Sequence, residues 1–241
     1  MSLPQLLSWA TTHPGARRPY NEDSFVNRPD LGLWAVADGA GGHQGGELAS
    51  GMLREALETI PSSLSAAELL AEVRTKVETT HESLRSLAEQ KGRPILGAST
   101  IVVLMLRDEH FACLWAGDSR SYLLRDGMLQ QITRDHSLVR ELVDAGAIRP
   151  EEADAHPHGN VITRAVGADV EAFVLDKASD RTQRGDRFLL CSDGLYRSVQ
   201  EPELASLLAE DRGVPPTQAM IDAALAMNAR DNVTAEAVAV T

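Results

Sequence analysis

The sequence predicts an antiparallel α+β domain built in layers. Two helical stretches come early, at 46–58 and 65–89. Strand-like stretches then cluster in the middle of the chain, and a helix precedes a last strand at 232–240. Helices and strands that do not alternate regularly disfavour the crossovers of a doubly wound parallel sheet. With 241 residues, 43% hydrophobic and 24% charged, the chain has the length and composition of a globular protein with a sizeable core. Aromatic residues make up 4%, so Leu, Val, Ile and Ala must fill most of that core.

The first expected strand is 33–38, which ends the run LGLWAVAD. Helix 46–58 follows, with Leu48, Met52, Leu53 and Ala56 on one stripe. In 65–89, Leu69, Leu70, Val73, Val77, Leu84 and Leu87 recur at helical spacing, and Ser65 with Glu68 has the spacing of a capping box. Strands are expected at 98–106, 110–116, 120–125 and 187–192, with a shorter one in FVLDKA from 173. TIVVLML is apolar throughout and implies burial on both faces. NVTAEAVAV alternates, placing Val233, Ala235, Ala237 and Ala239 on one face. Later helices fit 136–145, 201–209 and 215–227, the last opened by Pro215 and Pro216. Segment 140–160 is polar and contains Gly, Pro and His, so it reads as a flap leaving the sheet near the site. No repeat, low-complexity tract or separating linker interrupts the sequence, and residues 1–241 are expected to form one domain.

The formal net charge of −12 argues against a nucleic-acid partner, which wants a basic face, and against an anionic membrane surface. Cys113 and Cys191 lie in apolar runs, have no zinc spacing, and read as buried thiols in a reducing compartment. The opening residues lack a basic signal-peptide region, and no apolar run approaches the roughly 20 residues of a membrane span. A cytoplasmic monomer is expected.

Four aspartates each stand where an apolar run meets a turn. Asp38 precedes Gly39, Asp118 precedes Ser119 and Arg120, Asp193 precedes Gly194, and Asp231 precedes Asn232. A carboxylate at a strand end can reach a shared mouth while its strand stays buried. Four converging there repel unless a cation neutralises them, and hard oxygen ligands favour Mg²⁺ or Mn²⁺. Singly, each Asp-turn is weak evidence; the recurrence carries the argument. Arg18, shortly before Glu22 and Asp23, offers a guanidinium fork for phosphate, although such clusters are often just solvated charge. The glycine-rich run 38–47 suggests backbone close to a ligand, and the Gly39 carbonyl is a candidate cation ligand. It has neither a Walker sequence nor dinucleotide-binding spacing.

RPYNEDS, ADGAGGHQGGELAS, GAST, AGDSRSYLLRDG, TRDHS, NVITRAVG, LLCSDGLY and ARDNVT, in this order, resemble the bacterial metal-dependent protein phosphatases, the PPM or type 2C family, over nearly the whole chain. The resemblance implies a four-layer αββα sandwich of two antiparallel sheets flanked by helices, with a binuclear Mn²⁺ or Mg²⁺ centre. It implies hydrolysis of phosphoserine and phosphothreonine by a hydroxide bridging the metals. Asp38, Asp193 and Asp231 would hold one ion; Asp38, the Gly39 carbonyl and Glu22 a second; Asp118 with Asp193 a third. Arg18 would clamp the phosphate, making Arg18, Asp38 and Asp193 the central catalytic set. Ser99, Thr100, His136, Asn160 and Arg164 fall in supporting positions. Eukaryotic relatives have a histidine where this chain has Ala40, which leaves the leaving-group acid open between a metal-bound water and His43. The implied partners are phosphorylated proteins and an opposing Ser/Thr kinase with its substrates, in secretion-system or cell-wall signalling.

Two rival readings use the same residues. Cys191 through Arg197 has the Cys-x₅-Arg spacing of thiol phosphatases, but Asp193 within that loop would raise the thiol pKa and repel phosphate. A non-catalytic phosphoprotein-binding module on the same fold would show lost metal ligands, whereas all the expected aspartates are present. His156 and His158 lack further zinc ligands. His13, His81 and His110 read as surface residues, and Trp9, Trp34 and Trp115 as core or edge packing.

Overall fold

The computed structural model describes residues 5–41, 45–153, 156–168, 173–210 and 213–241. In chain order the strands are β1 (Leu6–His13), β2 (Ser24–Arg28), β3 (Leu33–Ala37), β4 (Gly39–Ala40), β5 (Ala98–Ser99), β6 (Ile101–Arg107), β7 (His110–Ala116), β8 (Arg120–Arg125), β9 (Met128–Gln131), β10 (Asp176–Arg181), β11 (Arg187–Cys191) and β12 (Val233–Val240). Helices α1 (Gly45–Glu58) and α2 (Ala66–Gln90) precede β5; α3 (Leu138–Asp144) and α4 (Pro150–Ala153) follow β9; α5 (Asp193–Tyr196), α6 (Glu201–Ala209) and α7 (Pro216–Ala226) separate β11 from β12.

One sheet has the order β1-β12-β11-β8-β9 and the other β10-β7-β6-β3-β2, with every pairing antiparallel. Strand alternation sorts their side chains into three apolar layers. Trp34, Val36, Leu104, Phe188, Leu190 and Val238 fill the space between the sheets. The other face of the β3 sheet packs Ala35 and Val103 against Leu53, Leu57, Val73 and Val77 of α1 and α2. The other face of the β12 sheet packs Ala235 and Ala237 against Leu204, Met220 and Ile221 of α6 and α7. The result is an αββα sandwich, as expected.

The Ser65–Glu68 capping box forms in both directions and fixes the start of α2. The structure departs from the sequence reading at several elements. β1, β2 and β9 were not expected: β1 carries Ser8, Thr11 and Thr12, and β2 and β9 are too short to show a period. The strand expected from 173 begins at Asp176, and 98–106 breaks at Thr100 into β5 and β6. The α1 stripe turns slightly: Leu48 faces solvent at 38% exposure, while Ala49, Leu53 and Leu57 are buried. β12 is buried on both faces, because α6 and α7 cover one face of its sheet and the second sheet covers the other. His81 is not a surface residue. It is 7% exposed, stacks on Phe173 at 4.5 Å and accepts the Gly167 N–H through Nδ1 at 3.0 Å. That cover comes from residues far along the chain, so local periodicity does not reveal it.

β12 also brings Glu236 into the interior. It is fully buried, with neither carboxyl oxygen hydrogen-bonded, and burial pushes its pKa well above the ordinary value. A raised folded-state pKa stabilises the fold below the unfolded value of about 4.3; that contribution is lost as pH rises toward the folded pKa. Glu236→Gln should therefore gain stability relative to the wild type as pH rises from 5 to 7, by up to about 1.4 kcal/mol per pH unit. Urea unfolding at both pH values tests this, and a pH-independent difference would refute it.

Candidate metal centre

Antiparallel pairing accounts for the convergence of the four aspartates. β3 and β7 both pair with β6, so they run parallel to each other and end at the same edge. There Asp38 and Asp118 emerge. β11 ends where its antiparallel neighbour β12 begins, which places Asp193 beside Asp231. β2 starts where β3 ends and brings Glu22 and Asp23 to that edge. β1 ends where β12 begins, and the chain beyond it carries Arg18.

The carboxylates sense one another. Burial raises the Asp38 pKa well above the ordinary range, and the charges of Asp23, Asp193, Asp118 and Asp231 add to the effect. Burial and Asp193 push Asp118 up to about 7. Burial raises Asp193, Arg197 and Arg18 partly offset that rise, and the charge of Asp231 adds to it. Carboxylates buried together require a proton or a cation among them.

Backbone positions are fixed by a polar frame. The Asp38 N–H donates to Thr100 Oγ1 at 3.1 Å, while its carbonyl accepts from the Thr100 N–H at 2.9 Å and from Ser99 Oγ at 3.0 Å. Thr100 Oγ1 bonds Ser119 Oγ at 2.7 Å, linking the turn after β3 to the one after β7. His136 accepts the Gly117 N–H through Nδ1 at 3.1 Å, which puts its proton on Nε2, 3.2 Å from Asp176 Oδ2. Arg164 donates to Asp176 Oδ1 at 2.7 Å. Asn232 accepts the Glu22 N–H at 2.9 Å and donates to the carbonyls of Pro14 and Tyr20. Ser99, Thr100, His136 and Arg164, expected in supporting positions, all stand in this frame.

Three residues central to the site were not identified from the sequence. Asp23 is buried; its Oδ2 accepts from Ser192 and Thr234 at 2.8 and 2.7 Å, its Oδ1 has no hydrogen-bond partner, and burial pushes its pKa to about 7. Asn232 is the knot just described. Arg197 donates to Asp193 at 3.0 Å and to Asp118 at 3.4 Å. Each follows a residue or motif that drew attention to itself, and each acts through partners distant in sequence.

A cation fits this donor set. Glu22 Oε1 is buried without a hydrogen-bond partner. A Cβ placed on Gly46 would stand 2.8 Å from the Gly39 carbonyl oxygen and 2.9 Å from Glu22 Oε1, so both oxygens face one small space kept open by glycine. Among the described residues no three His, Cys, Asp or Glu side chains stand closed in ligating geometry. Arginines hold some of them instead: Arg18 grips Asp231 through two bonds of 2.9 Å, and Arg197 bridges Asp193 and Asp118. Arg18, expected to clamp phosphate, is thus paired with an expected metal ligand. His43 lies outside the described residues.

A family model described as Protein phosphatase 2C matches residues 18–226. The chain belongs to this family. It is 35% identical over 226 residues to the serine/threonine protein phosphatase PstP of Mycobacterium tuberculosis, covering 93% of this chain and 43% of that protein. The chain therefore spans less than half the length of that curated relative. Among solved structures, it is similar to PppA, described as a key regulatory component of T6SS in Pseudomonas aeruginosa, with 38% identity, 98% coverage of both chains and a TM-score of 0.89. It is also similar to the catalytic domain of PstP in complex with 2 manganese ions, with 33% identity, 100% coverage of both chains and a TM-score of 0.87.

In this protein phosphatase 2C chain Cys191 is fully buried, and burial pushes its thiol up to about 12, so a thiolate nucleophile is not available there. Cys113 is likewise buried and free. Gly194 is required for the approach of the two chain segments that carry Asp193 and Asp231, since a Cβ on it would fall 2.0 Å from the Asn232 carbonyl oxygen. Gly194→Ala should lower unfolding stability by about 1–3 kcal/mol, the usual cost of overpacking. An unchanged urea midpoint would show that the two segments can separate freely.

Proposed function

We propose that this protein is a metal-dependent serine/threonine protein phosphatase. The observation that carries the reading is the set of buried, mutually repelling carboxylates at one edge of a protein phosphatase 2C sandwich. The named activities of PstP and the manganese ions in a similar structure support it.

Asp38, Asp193 and Asp231 would hold one Mn²⁺ or Mg²⁺; Asp38, the Gly39 carbonyl and Glu22 would hold a second; Asp118 with Asp193 would take a third. When bound, such ions supply the positive charge that acidifies water and offsets charge on a phosphoryl group. The chain's own residues do the rest. Arg18 is 53% exposed and bidentate. It exchanges Asp231 for two phosphoryl oxygens, because its fork suits carboxylate and phosphate alike. Thr100, Ser119 and Asn232 keep the ligand-bearing turns in place, so the site needs little rearrangement as charge develops. His136 uses both ring nitrogens on Gly117 and Asp176 and is not the acid. Ala40 has no proton to give; water is the favoured acid for the leaving alkoxide, with His43 the alternative.

The substrates are phosphorylated proteins, set against a Ser/Thr kinase in the cytoplasm, in secretion-system or cell-wall signalling, with residues 140–160 as the flap of a single domain acting as a monomer. No helix among the described residues is long and apolar enough to cross a membrane.

Metal-stripped protein should not hydrolyse a phosphothreonine peptide; Mn²⁺ should restore turnover and EDTA abolish it. Metal-indifferent turnover would overturn the reading. Asp38→Asn and Asp193→Asn should each lower kcat by roughly 100-fold or more. Cys191→Ser should keep kcat near the wild-type value, and a comparable collapse there would restore the thiol mechanism.

A further inference from the structure

The strip of chain that carries Gly39 is held from behind. Gly39 and Ala40 of β4 pair with Ser99 and Ala98 of β5. Ser99 in turn exchanges both backbone bonds with Val166: its N–H reaches the Val166 carbonyl at 3.0 Å, and its carbonyl accepts the Val166 N–H at 2.8 Å. Ser99 Oγ also donates to the Asp38 carbonyl at 3.0 Å. Gly167, next along, fills the gap between β5 and α2. A Cβ on it would fall 2.6 Å from the Gly97 carbonyl oxygen and 3.0 Å from Leu84 Cδ1. Its buried N–H donates to His81 Nδ1 at 3.0 Å. Backbone pairings and chain neighbours thus lead from α2 to the expected metal ligand, and His81 is the acceptor at their outer end.

A ring nitrogen that accepts carries no proton, so His81 is neutral here, with its proton on Nε2. Burial lowers its pKa, Arg85 adds to that effect, and Glu82 opposes it. Glu78 and Glu89 line a hollow of about 590 Å³ together with the ring. From the segment packed against it, the described neighbours are Gly167 and Phe173, which do not titrate; the Phe173 ring stacks on it at 4.5 Å.

We propose that His81 is a positioning residue for the phosphatase reaction: its Nδ1 fixes Gly167 and, through Val166 and Ser99, the Gly39 carbonyl offered to the second ion. The last link rests on the assignment of Gly39 made under Proposed function. The hold of His81 on Ser99 does not. A proton on Nδ1 turns the acceptor into a donor facing a donor, which leaves the Gly167 N–H buried and unpaired and loosens the strip behind Gly39. The folded state holds the ring below the unfolded pKa of about 6.5, so the bond contributes in full above that value and is lost as pH falls through it toward the folded pKa.

Two variants separate the acceptor from the ring. His81→Asn sets Oδ1 as many bonds from Cα as Nδ1, accepts at every pH and gives up the stack; His81→Phe keeps the stack and gives up the acceptor. In metal-free protein at pH 7.5, amide hydrogen exchange at Ser99, Thr100, Val166 and Gly167 should be roughly tenfold faster in His81→Phe than in wild type, and close to wild type in His81→Asn. Mn²⁺ affinity by calorimetry at the same pH should fall roughly tenfold in His81→Phe and stay near wild type in His81→Asn. Between pH 7.5 and 5.5 the wild type should lose roughly threefold more Mn²⁺ affinity than His81→Asn, whose acceptor does not titrate. Wild-type exchange in His81→Phe overturns the proposal. So does an His81→Asn protein as loose as His81→Phe, which would give the role to the ring and not to its nitrogen. Faster exchange with unchanged Mn²⁺ affinity shows that the hold stops short of Gly39 and overturns the link to the reaction. No Mn²⁺ binding by the wild type removes the metal reading itself, and exchange at Ser99 and Thr100 still decides whether His81 holds the strip. Should His81→Phe not fold, the pH dependence of wild type against His81→Asn decides alone.

Discussion

Mutual repulsion among buried carboxylates is the constraint on which the rest of the structure depends. A like-charged pair about 4 Å apart costs on the order of 4 kcal/mol even at an effective dielectric of about 20. Asp38, Asp118 and Asp193 are all buried enough to feel one another, and Asp23 is drawn into the same field. Such a group stays together because its backbone has nowhere else to go. The Thr100–Ser119 bond, the Ser99 contact to Asp38 and the three-bond knot at Asn232 lock the turns, and two close-packed sheets lock the strands behind them. The fold concentrates acidity at its edge and places rigidity beneath it, as a preorganised site requires.

The arginines complete this balance. Arg18 and Arg197 reach the cluster from different parts of the chain, one after β1 and one after α5, and pair with Asp231 and with Asp193 and Asp118 respectively. Both remain partly exposed, at 53% and 36%, so their pairings are held loosely enough to be exchanged. A fully buried arginine would neutralise the carboxylates as well, but giving it up would leave an unpaired buried charge.

Much of this was legible in the sequence because strand ends are local events. An apolar run that stops at Asp38-Gly39 or Asp193-Gly194 announces both a buried strand and an emerging carboxylate. The layered α+β class was equally visible in the order of periods. Other features depended on contacts across the chain. β1 looks polar because Thr11 and Thr12 spend their hydroxyls on Thr217 and Thr234, more than two hundred residues away. His81 reads as exposed until Gly167 and Phe173 come to lie against it. The importance of Asp23 lies in Ser192 and Thr234, which no window around residue 23 contains.

Arg197 shows why even a correctly read motif can mislead. Its spacing from Cys191 matches a thiol site, yet the residue between them that spoils that chemistry, Asp193, is the one Arg197 serves. The turn of α5 sets the outcome: four residues from Asp193 to Arg197 place both on one helical face, while Cys191 stays behind in β11, sealed between β8 and β12. A strand residue and a helix residue five or six positions apart need not share a surface, whereas an i, i+4 pair must. The same short sequence thus excludes a thiolate nucleophile and supplies the acidic cluster with a cation of its own.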